Sequence, residues 1–189
     1  MKDVKRYIQD SRNGLITATD GLLPAQWDFK PSPECWSIAE IVEHLVVTNE
    51  LILGPVCDRL ASAPPPPADH DRQTIDELIV TAFPDRAKKF KGPQFLCPTG
   101  RWMPAEALGR FNETCDRLAA FVESAPGLRE HAVDSPPLKA VSNGAYQFTD
   151  GYQLMLAMGA HIERHTRQIL EWKADAGFPA GEPARTAVA

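Results

Sequence analysis

The sequence predicts an all-α protein, a four-helix bundle whose helices are joined by long proline-rich connections. Four segments repeat apolar residues at spacings of three and four, the period of an amphipathic helix. Of the 17 prolines, only Pro55 and Pro84 fall inside such segments. No long stretch alternates apolar and polar residues as a half-buried strand does. Helices without a sheet to cover are expected to pack on one another as a bundle.

The first predicted helix begins near Val4 and ends between Gly21 and Pro24. Its apolar stripe recurs in steps of three and four, as expected for one buried face: Val4, Tyr7, Ile8, Ser11, Leu15, Thr19 and Leu22. The segment that follows, QWDFKPSPECW, contains two prolines and three aromatic residues. We expect it to be a loop that packs against the body of the protein.

The second predicted helix has the clearest start in the sequence. Ser37 can cap it while Glu40, three residues later, reaches back to the Ser37 amide, and Trp36 and Ile41 occupy the two staple positions. This helix is apolar over much of its circumference, so we expect neighbours to cover it. Pro55, which follows Gly54, should interrupt it because proline removes a backbone donor.

A long irregular crossover is predicted between the second and third helices. The run of prolines at 64–67 should be stiff. A second capping box, Thr74 with Glu77, predicts a short helix that Pro84 disturbs. Residues 91–104 contain three prolines and two glycines in 14 positions, which excludes a continuous helix.

The third predicted helix starts at about Pro104, a favourable first-turn residue, and ends before Pro126. The fourth runs from about Thr149 to Ala174. At this length one domain is the default expectation. We therefore predict a single domain over residues 1–175 and a flexible tail over residues 176–189.

Composition excludes several classes of protein. The net charge is −5 and the only basic cluster is the short run at 86–91, so no nucleic-acid partner is expected. Neither a signal peptide nor a membrane span is predicted, which favours a cytoplasmic protein. The four cysteines lack metal-ligand spacing and are interpreted as free thiols: Cys35, Cys57, Cys97 and Cys115.

The fourth helix carries two histidines, His161 and His165, one turn apart. They share a stripe with Met158 and Ile169 and should therefore be buried. The charged residues between and beyond them are expected to point outward: Glu163, Arg164, Arg167 and Glu171. Two adjacent buried imidazoles are costly unless they have partners. They are either hydrogen-bonded core histidines or two ligands that converge on one metal ion.

A third histidine favours the metal. His44 lies in the middle of the apolar second helix, and facing helices of a bundle can build a site between them. His44, His161 and His165 are therefore the candidate ligands. His70 and His131 lie in proline-containing loops and are interpreted as solvated.

A zinc-protease motif of the HExxH type is excluded by geometry. That motif requires its glutamate directly after the first histidine. Here Glu163 follows His161 by two residues, which places it about 200° around the helix. Glu163 therefore points away from any metal that His161 would bind.

Two segments resemble the DinB-like superfamily of metal-binding bundles related to YfiT-type proteins. CWSIAEIVEHLVVTNE, residues 35–50, resembles that family's second helix, with a tryptophan before the cap and a histidine in the middle. HIERHTRQILE, residues 161–171, is similar to its fourth-helix HxxxH motif, which a glutamine and an isoleucine follow. The order and separation of the segments fit as well, so the likeness extends from about Val4 to Trp172.

The resemblance implies that His44, His161 and His165 bind a divalent metal with positions open to water or substrate. Family members include transferases and isomerases that use low-molecular-weight thiols, and metal-dependent hydrolases. We therefore expect a thiol transferase or a hydrolase that acts on a small molecule, with zinc or nickel as the metal and a low-molecular-weight thiol as a second cofactor. The alternative is a non-catalytic, stress-related bundle that binds a metal or ligand. The family also suggests a homodimer.

No general base stands out in the sequence. Glu40 lies one turn before His44, but its role in the capping box explains it sufficiently. Asn49 and Gln168 are candidates for contacts behind the ligands, with ordinary surface positions as the alternative.

Overall fold

The structure is a computed structural model that describes residues 3–88, 90 and 92–181. In chain order its helices are α1 (Val4–Thr19), α2 (Pro24–Trp27), α3 (Ile38–Leu51), α4 (Cys57–Leu60), α5 (Arg72–Ala82), α6 (Pro104–Ser124), α7 (Pro136–Val141) and α8 (Gly151–Lys173). Two strands of three residues, β1 (Ala132–Asp134) and β2 (Phe148–Asp150), pair in antiparallel register with Val133 opposite Thr149.

The four long helices α1, α3, α6 and α8 form the bundle that the sequence predicts. Helix α1 packs mainly along α8, and α3 mainly along α6. One half of the core centres on Ile8, Leu118 and Met155, and the other on Ile41 and Phe111. Helix α5 packs on α8 outside the bundle. All-α architecture is therefore confirmed.

The main helix starts follow from their capping residues. Ser37 and Glu40 make both bonds of the capping box at the start of α3, and Pro104 is the first residue of α6. Asp150 and Gln153 form a further capping box that starts α8, a signal that the sequence reading missed. The caps explain why these helix boundaries agree closely with the sequence.

The predicted interruption after α3 is confirmed. A five-residue π-helical turn, Ile52–Val56, joins α3 to α4, and Gly54 within it has non-helical dihedral angles. Proline at position 55 cannot donate to the helical ladder, so the chain accommodates it with this wider turn.

Two details of the connections differ from prediction. The cap of α5 is Asp71, which accepts a bond from the Thr74 amide, so Thr74 lies inside the helix and does not cap it. In the predicted capping box the Glu77 side chain would accept from the Thr74 amide. Asp71, three residues before Thr74, accepts from that amide instead. The strands β1 and β2 were not predicted, because three residues are too few to show an alternating pattern.

The first residues after α8 pack against the body of the protein. The ring of Phe178 meets that of Phe29 edge to face at 5.2 Å, and the Pro179 carbonyl accepts a bond from Gln26. The predicted flexible tail begins at residue 176, so its first residues have specific contacts. Residues 182–189 of that tail lie outside the described residues.

Within the described part of the chain, no helix has both the length and the apolar character that a membrane crossing requires.

The packing of Tyr7 on α1 against Gly159 on α8 generates a stability prediction. A Cβ atom at Gly159 would stand 2.8 Å from Cδ1 of Tyr7, whereas one at Gly109, exposed on α6, would meet nothing within 4 Å. Gly109→Ala should stabilise the protein by about 0.5–1 kcal/mol through helix propensity. Gly159→Ala should destabilise it by about 1–2 kcal/mol, because the clash outweighs the same gain. Urea unfolding of both variants measures the difference, and equal stabilisation would contradict this account of the packing.

Candidate metal centre

The structure brings together the three histidines that the sequence singles out. His44 on α3 meets His161 and His165 on α8, and one ring nitrogen from each lies within 4.8 Å of the others. The Nε2 atom of His161 is 3.3 Å from that of His44 and 3.1 Å from that of His165. Among the described residues, this is the one group of three or more histidine, cysteine or acidic side chains with such spacing.

Helix geometry and burial explain this convergence. A spacing of four residues places His161 and His165 on one face of α8, and α3 lies across from that face. Ile41 and Leu45 flank His44 along α3 and are fully buried. The imidazole of His44 is thereby carried into the core, with 6% of the residue exposed, while His165 is 7% exposed. His161 is half-buried.

The outer nitrogens of two rings have their own partners. His44 Nδ1 donates to the Leu96 carbonyl at 2.8 Å, and His165 Nδ1 donates to Gln168 Oε1 at 2.9 Å. Because a neutral imidazole carries only one proton, these bonds leave both Nε2 atoms as bare acceptors. Both acceptors face Nε2 of His161.

Burial keeps the three imidazoles neutral. It lowers the pKa of His44, although the bond to Leu96 opposes the change. Burial is also the main reason why the pKa values of His161 and His165 lie well below the ordinary histidine value, and the positive charge of Arg164 lowers both further. His44 lowers the pKa of both rings as well, and His161 lowers that of His165, while the bond to Gln168 opposes the change at His165. Neutral imidazole is the form that binds a metal, so the group is prepared as a ligand set at neutral pH.

The arrangement fits a metal ion better than it fits a hydrogen-bond network. One proton on His161 Nε2 could satisfy only one of the two facing acceptors. His161 Nδ1 is buried with no hydrogen-bond partner among the described residues, whichever nitrogen carries the proton. Tetrahedral zinc with Zn–N bonds of about 2.1 Å would hold its ligand nitrogens about 3.4 Å apart. The observed separations of 3.1 and 3.3 Å lie close to that value.

The ring of Trp36 forms an aromatic wall beside the histidines. The Trp36 ring lies 4.7 Å from the His44 ring and 6.4 Å from the His165 ring, centroid to centroid. Trp172 donates from its indole to the Trp36 carbonyl at 2.8 Å and so fixes the end of the loop that leads into α3. The wall excludes water from one side of the group and lowers the local polarity.

The other polar residues considered from sequence divide into two groups. Gln168 contacts His165, which is the first of the two alternatives considered for it. Glu40 is held by Ser37 and Lys30, as its capping role predicts. Asn49 donates instead to Thr114, and the structure shows no contact between Asn49 and the histidines.

Two further predictions need correction. His70 is not solvated, because its Nε2 lies 2.9 Å from Gln153 Oε1 in a half-buried position. His131 is also half-buried, and its Nδ1 lies 2.5 Å from the Ala63 carbonyl. The loop that carries His70 packs against α8, and the loop that carries His131 bonds to the crossover at Ala63, which local proline content could not reveal.

Among the charged residues of α8, Arg164 does not point outward as expected. It is buried and donates to the carbonyls of Phe83, Asp85 and Lys88 in the crossover. Glu163 does point away from the histidines: it pairs with Arg167 and accepts from Tyr7. The exclusion of the HExxH mechanism therefore stands.

The crossover also supplies a residue that sequence reasoning missed. Glu43 precedes His44 on α3 and is buried, and its carboxylate accepts backbone bonds from residues 99–101. The signal was present: a glutamate in a helix that is apolar on most sides needs a buried partner.

The four cysteines are free. Burial raises the pKa of the Cys57 thiol to about 11 and that of the Cys115 thiol to about 12. Both thiols therefore stay protonated at neutral pH, which makes them poor nucleophiles. The interpretation as structural thiols fits these two residues.

Comparison with known proteins agrees with the geometry. A family model described as the DinB superfamily matches residues 7–169. Among solved structures, YfiT from Bacillus subtilis superposes with a TM-score of 0.62 and 13% sequence identity, over 95% of this chain and 91% of that chain. It is described as a probable metal-dependent hydrolase with an unusual four-helix bundle topology. No curated protein matches the chain.

The buried imidazoles make stability depend on pH. Their pKa values in the folded protein lie below the value near 6.5 of the unfolded chain, so the unfolded chain binds more protons in this range. The free energy of unfolding should therefore rise with pH up to and through about 6.5, and fall as the pH drops below it. Urea unfolding of metal-free protein at about pH 5.5 and about pH 7.5 tests this sign.

His165→Gln should flatten the dependence, since it removes one such group. His131→Gln is the matched control, since it replaces a half-buried histidine outside the group. A steeper loss of stability in the His165 variant than in the parent at low pH would contradict the assignment.

Proposed function

The chain belongs to the DinB superfamily, and we propose that it is a metal-dependent enzyme acting on a small molecule at a divalent metal centre formed by His44, His161 and His165. The observation that carries the proposal is the convergence of three neutral Nε2 atoms in a protected site, two of them with their outer nitrogens already bonded. Hydrogen bonding alone leaves this arrangement unsatisfied.

Three neutral imidazoles leave the full double charge of the ion. A divalent ion held in this way would lower the pKa of a bound water molecule or hold a substrate thiol as thiolate. Either use supplies a nucleophile at neutral pH. Imidazole ligands suit zinc and nickel alike, and these are the metals we propose.

The protein's own residues would prepare this chemistry. The Leu96 carbonyl and Gln168 select the tautomers of His44 and His165, so that Nε2 of each is the ligand atom. Trp36 covers one side of these rings and excludes water there.

Two reactions remain candidates for this centre. Hydrolysis is favoured by the fold shared with YfiT, whose description names that activity. Transfer to a low-molecular-weight thiol is the other. In that case the thiol would be supplied as a cosubstrate, since burial keeps the Cys57 and Cys115 thiols protonated.

A second candidate is a non-catalytic bundle that stores or senses a metal. The burial of His44 and His165 favours it, because a closed site needs no access for substrate. We also propose a cytoplasmic location and a homodimer, whose interface could cover exposed apolar residues such as Leu170 on α8.

Metal content is the first test of the proposal. Protein produced without a histidine tag should contain close to one equivalent of divalent metal by mass spectrometry, and added metal should raise its thermal midpoint. His165→Ala should lose the metal, while His131→Ala, which removes a half-buried histidine outside the group, should retain it. Absence of metal from the parent protein, even after reconstitution, would overturn the metal centre.

Activity separates the enzyme from the binding protein. The metal-loaded protein should hydrolyse activated esters or amides, or transfer a thiol when a low-molecular-weight thiol is added. The rate should fall to background in His165→Ala. In the parent protein it should fall when a chelator removes the metal and recover when the metal is restored. Stoichiometric metal without turnover across both substrate classes would favour the non-catalytic alternative.

A further inference from the structure

Glu43 is a buried carboxylate next to a candidate metal ligand. It is 2% exposed and lies on α3 directly before His44. Its Oε1 accepts from the Thr99 amide at 2.8 Å, and its Oε2 accepts from the amides of Gly100 and Arg101 at 2.9 and 3.1 Å. The Thr99 hydroxyl and the Arg101 guanidinium also approach it, at 3.3 and 3.6 Å.

These contacts do not serve the helix that carries Glu43. The residue lies in the interior of α3, where the backbone already bonds within the helix, and an apolar side chain would avoid the cost of burying a charge. Three consecutive amides turned toward one carboxylate instead fix the shape of a loop. Gly100, with φ of +75°, provides the left-handed conformation within it.

The fixed loop is the one that reaches His44. Residues 97–103 belong to no helix or strand, and the Leu96 carbonyl just before them accepts the Nδ1 proton of His44. Only Cys97 and Pro98 separate Leu96 from Thr99. Glu43 and His44 are adjacent on one rigid helix. They therefore bond to the two ends of the four-residue segment 96–99, His44 to Leu96 and Glu43 to Thr99.

We propose that Glu43 is a positioning residue: by clamping residues 99–101 it holds the Leu96 carbonyl on His44 Nδ1 and so sets the tautomer and orientation of this ligand. The expected effect on metal affinity rests on the proposed function, which makes His44 a metal ligand. Partners behind a ligand commonly change metal affinity by about 10–100-fold when they are lost. Here the partner is a backbone carbonyl, so the side chain that can be mutated is the one that holds the carbonyl in place.

The first test uses metal-free protein. In ring ¹⁵N–¹H correlation spectra, His44 of the parent should appear as the Nδ1–H tautomer. Glu43→Gln keeps the shape of the side chain but replaces one acceptor oxygen with a donor, which opposes a backbone amide. It should shift His44 toward a mixture of tautomers and speed amide hydrogen exchange at residues 99–101. An unchanged His44 tautomer would overturn the proposal.

The second test uses Co²⁺ as the probe. Glu43→Gln should weaken Co²⁺ binding by about 10-fold or more and alter the visible spectrum, which reports coordination geometry. Arg101→Ala is the control, since it removes the nearby positive charge but leaves the three backbone bonds, and it should change affinity by less than about 2-fold. If the Arg101 variant matched the Glu43 variant, charge and not the clamp would be responsible.

A variant in the loop is needed because Glu43→Gln changes a buried residue and could prevent the protein from folding. Gly100→Val leaves Glu43 intact but disfavours the positive φ of the loop, and it should reproduce both effects on His44. Normal His44 behaviour in a folded Gly100→Val protein with a rearranged loop would overturn the proposal. The outcome for the metal centre is separate: a parent that binds no metal refutes the proposed function, while the metal-free spectra still decide the role of Glu43.

Discussion

The mutual approach of three imidazole nitrogens is the constraint around which this structure is arranged. Nε2 atoms at 3.1 and 3.3 Å cannot all be satisfied by protons, and burial prevents the rings from charging, as the lowered pKa values show. A divalent ion would relieve both problems at once. The bundle supplies what such an ion requires: two rigid helices, an aromatic wall and acceptors for the outer nitrogens.

The crossover between α3 and α6 belongs to the same arrangement. Read along the chain, its prolines and glycines only interrupt helices. In the structure two residues next to the histidines bond to the crossover. Arg164, adjacent to His165, donates to carbonyls near residue 85. Glu43, adjacent to His44, accepts from amides near residue 100. Both side chains are buried, and the charged group of each is hydrogen-bonded to the backbone of the crossover. A segment without regular structure thereby gains a defined position and contributes the Leu96 carbonyl to the centre.

Family membership and chemistry have different support. The family model covers residues 7–169, and the superposition on YfiT at 13% identity, with a TM-score of 0.62, shows a shared fold. Neither establishes a substrate. The histidine geometry supports a metal independently of the family, because it depends only on distances, tautomers and burial. The substrate class therefore rests on experiment, whereas the metal centre already has a physical argument.

The sequence by itself determined the four long helices, most of their boundaries and the three histidines that meet. Periodicity and capping act within a few residues, so Ser37, Pro104 and the His161–His165 spacing carry their signals locally. Tertiary structure alone decided that His70 and His131 are half-buried, that Arg164 turns inward, and that Glu43 clamps a loop 56 residues away. These outcomes depend on which segment folds back onto a helix. Burying a polar side chain costs free energy, and hydrogen bonds to backbone groups far away in the sequence offset that cost. A local sequence pattern does not show whether such partners are present.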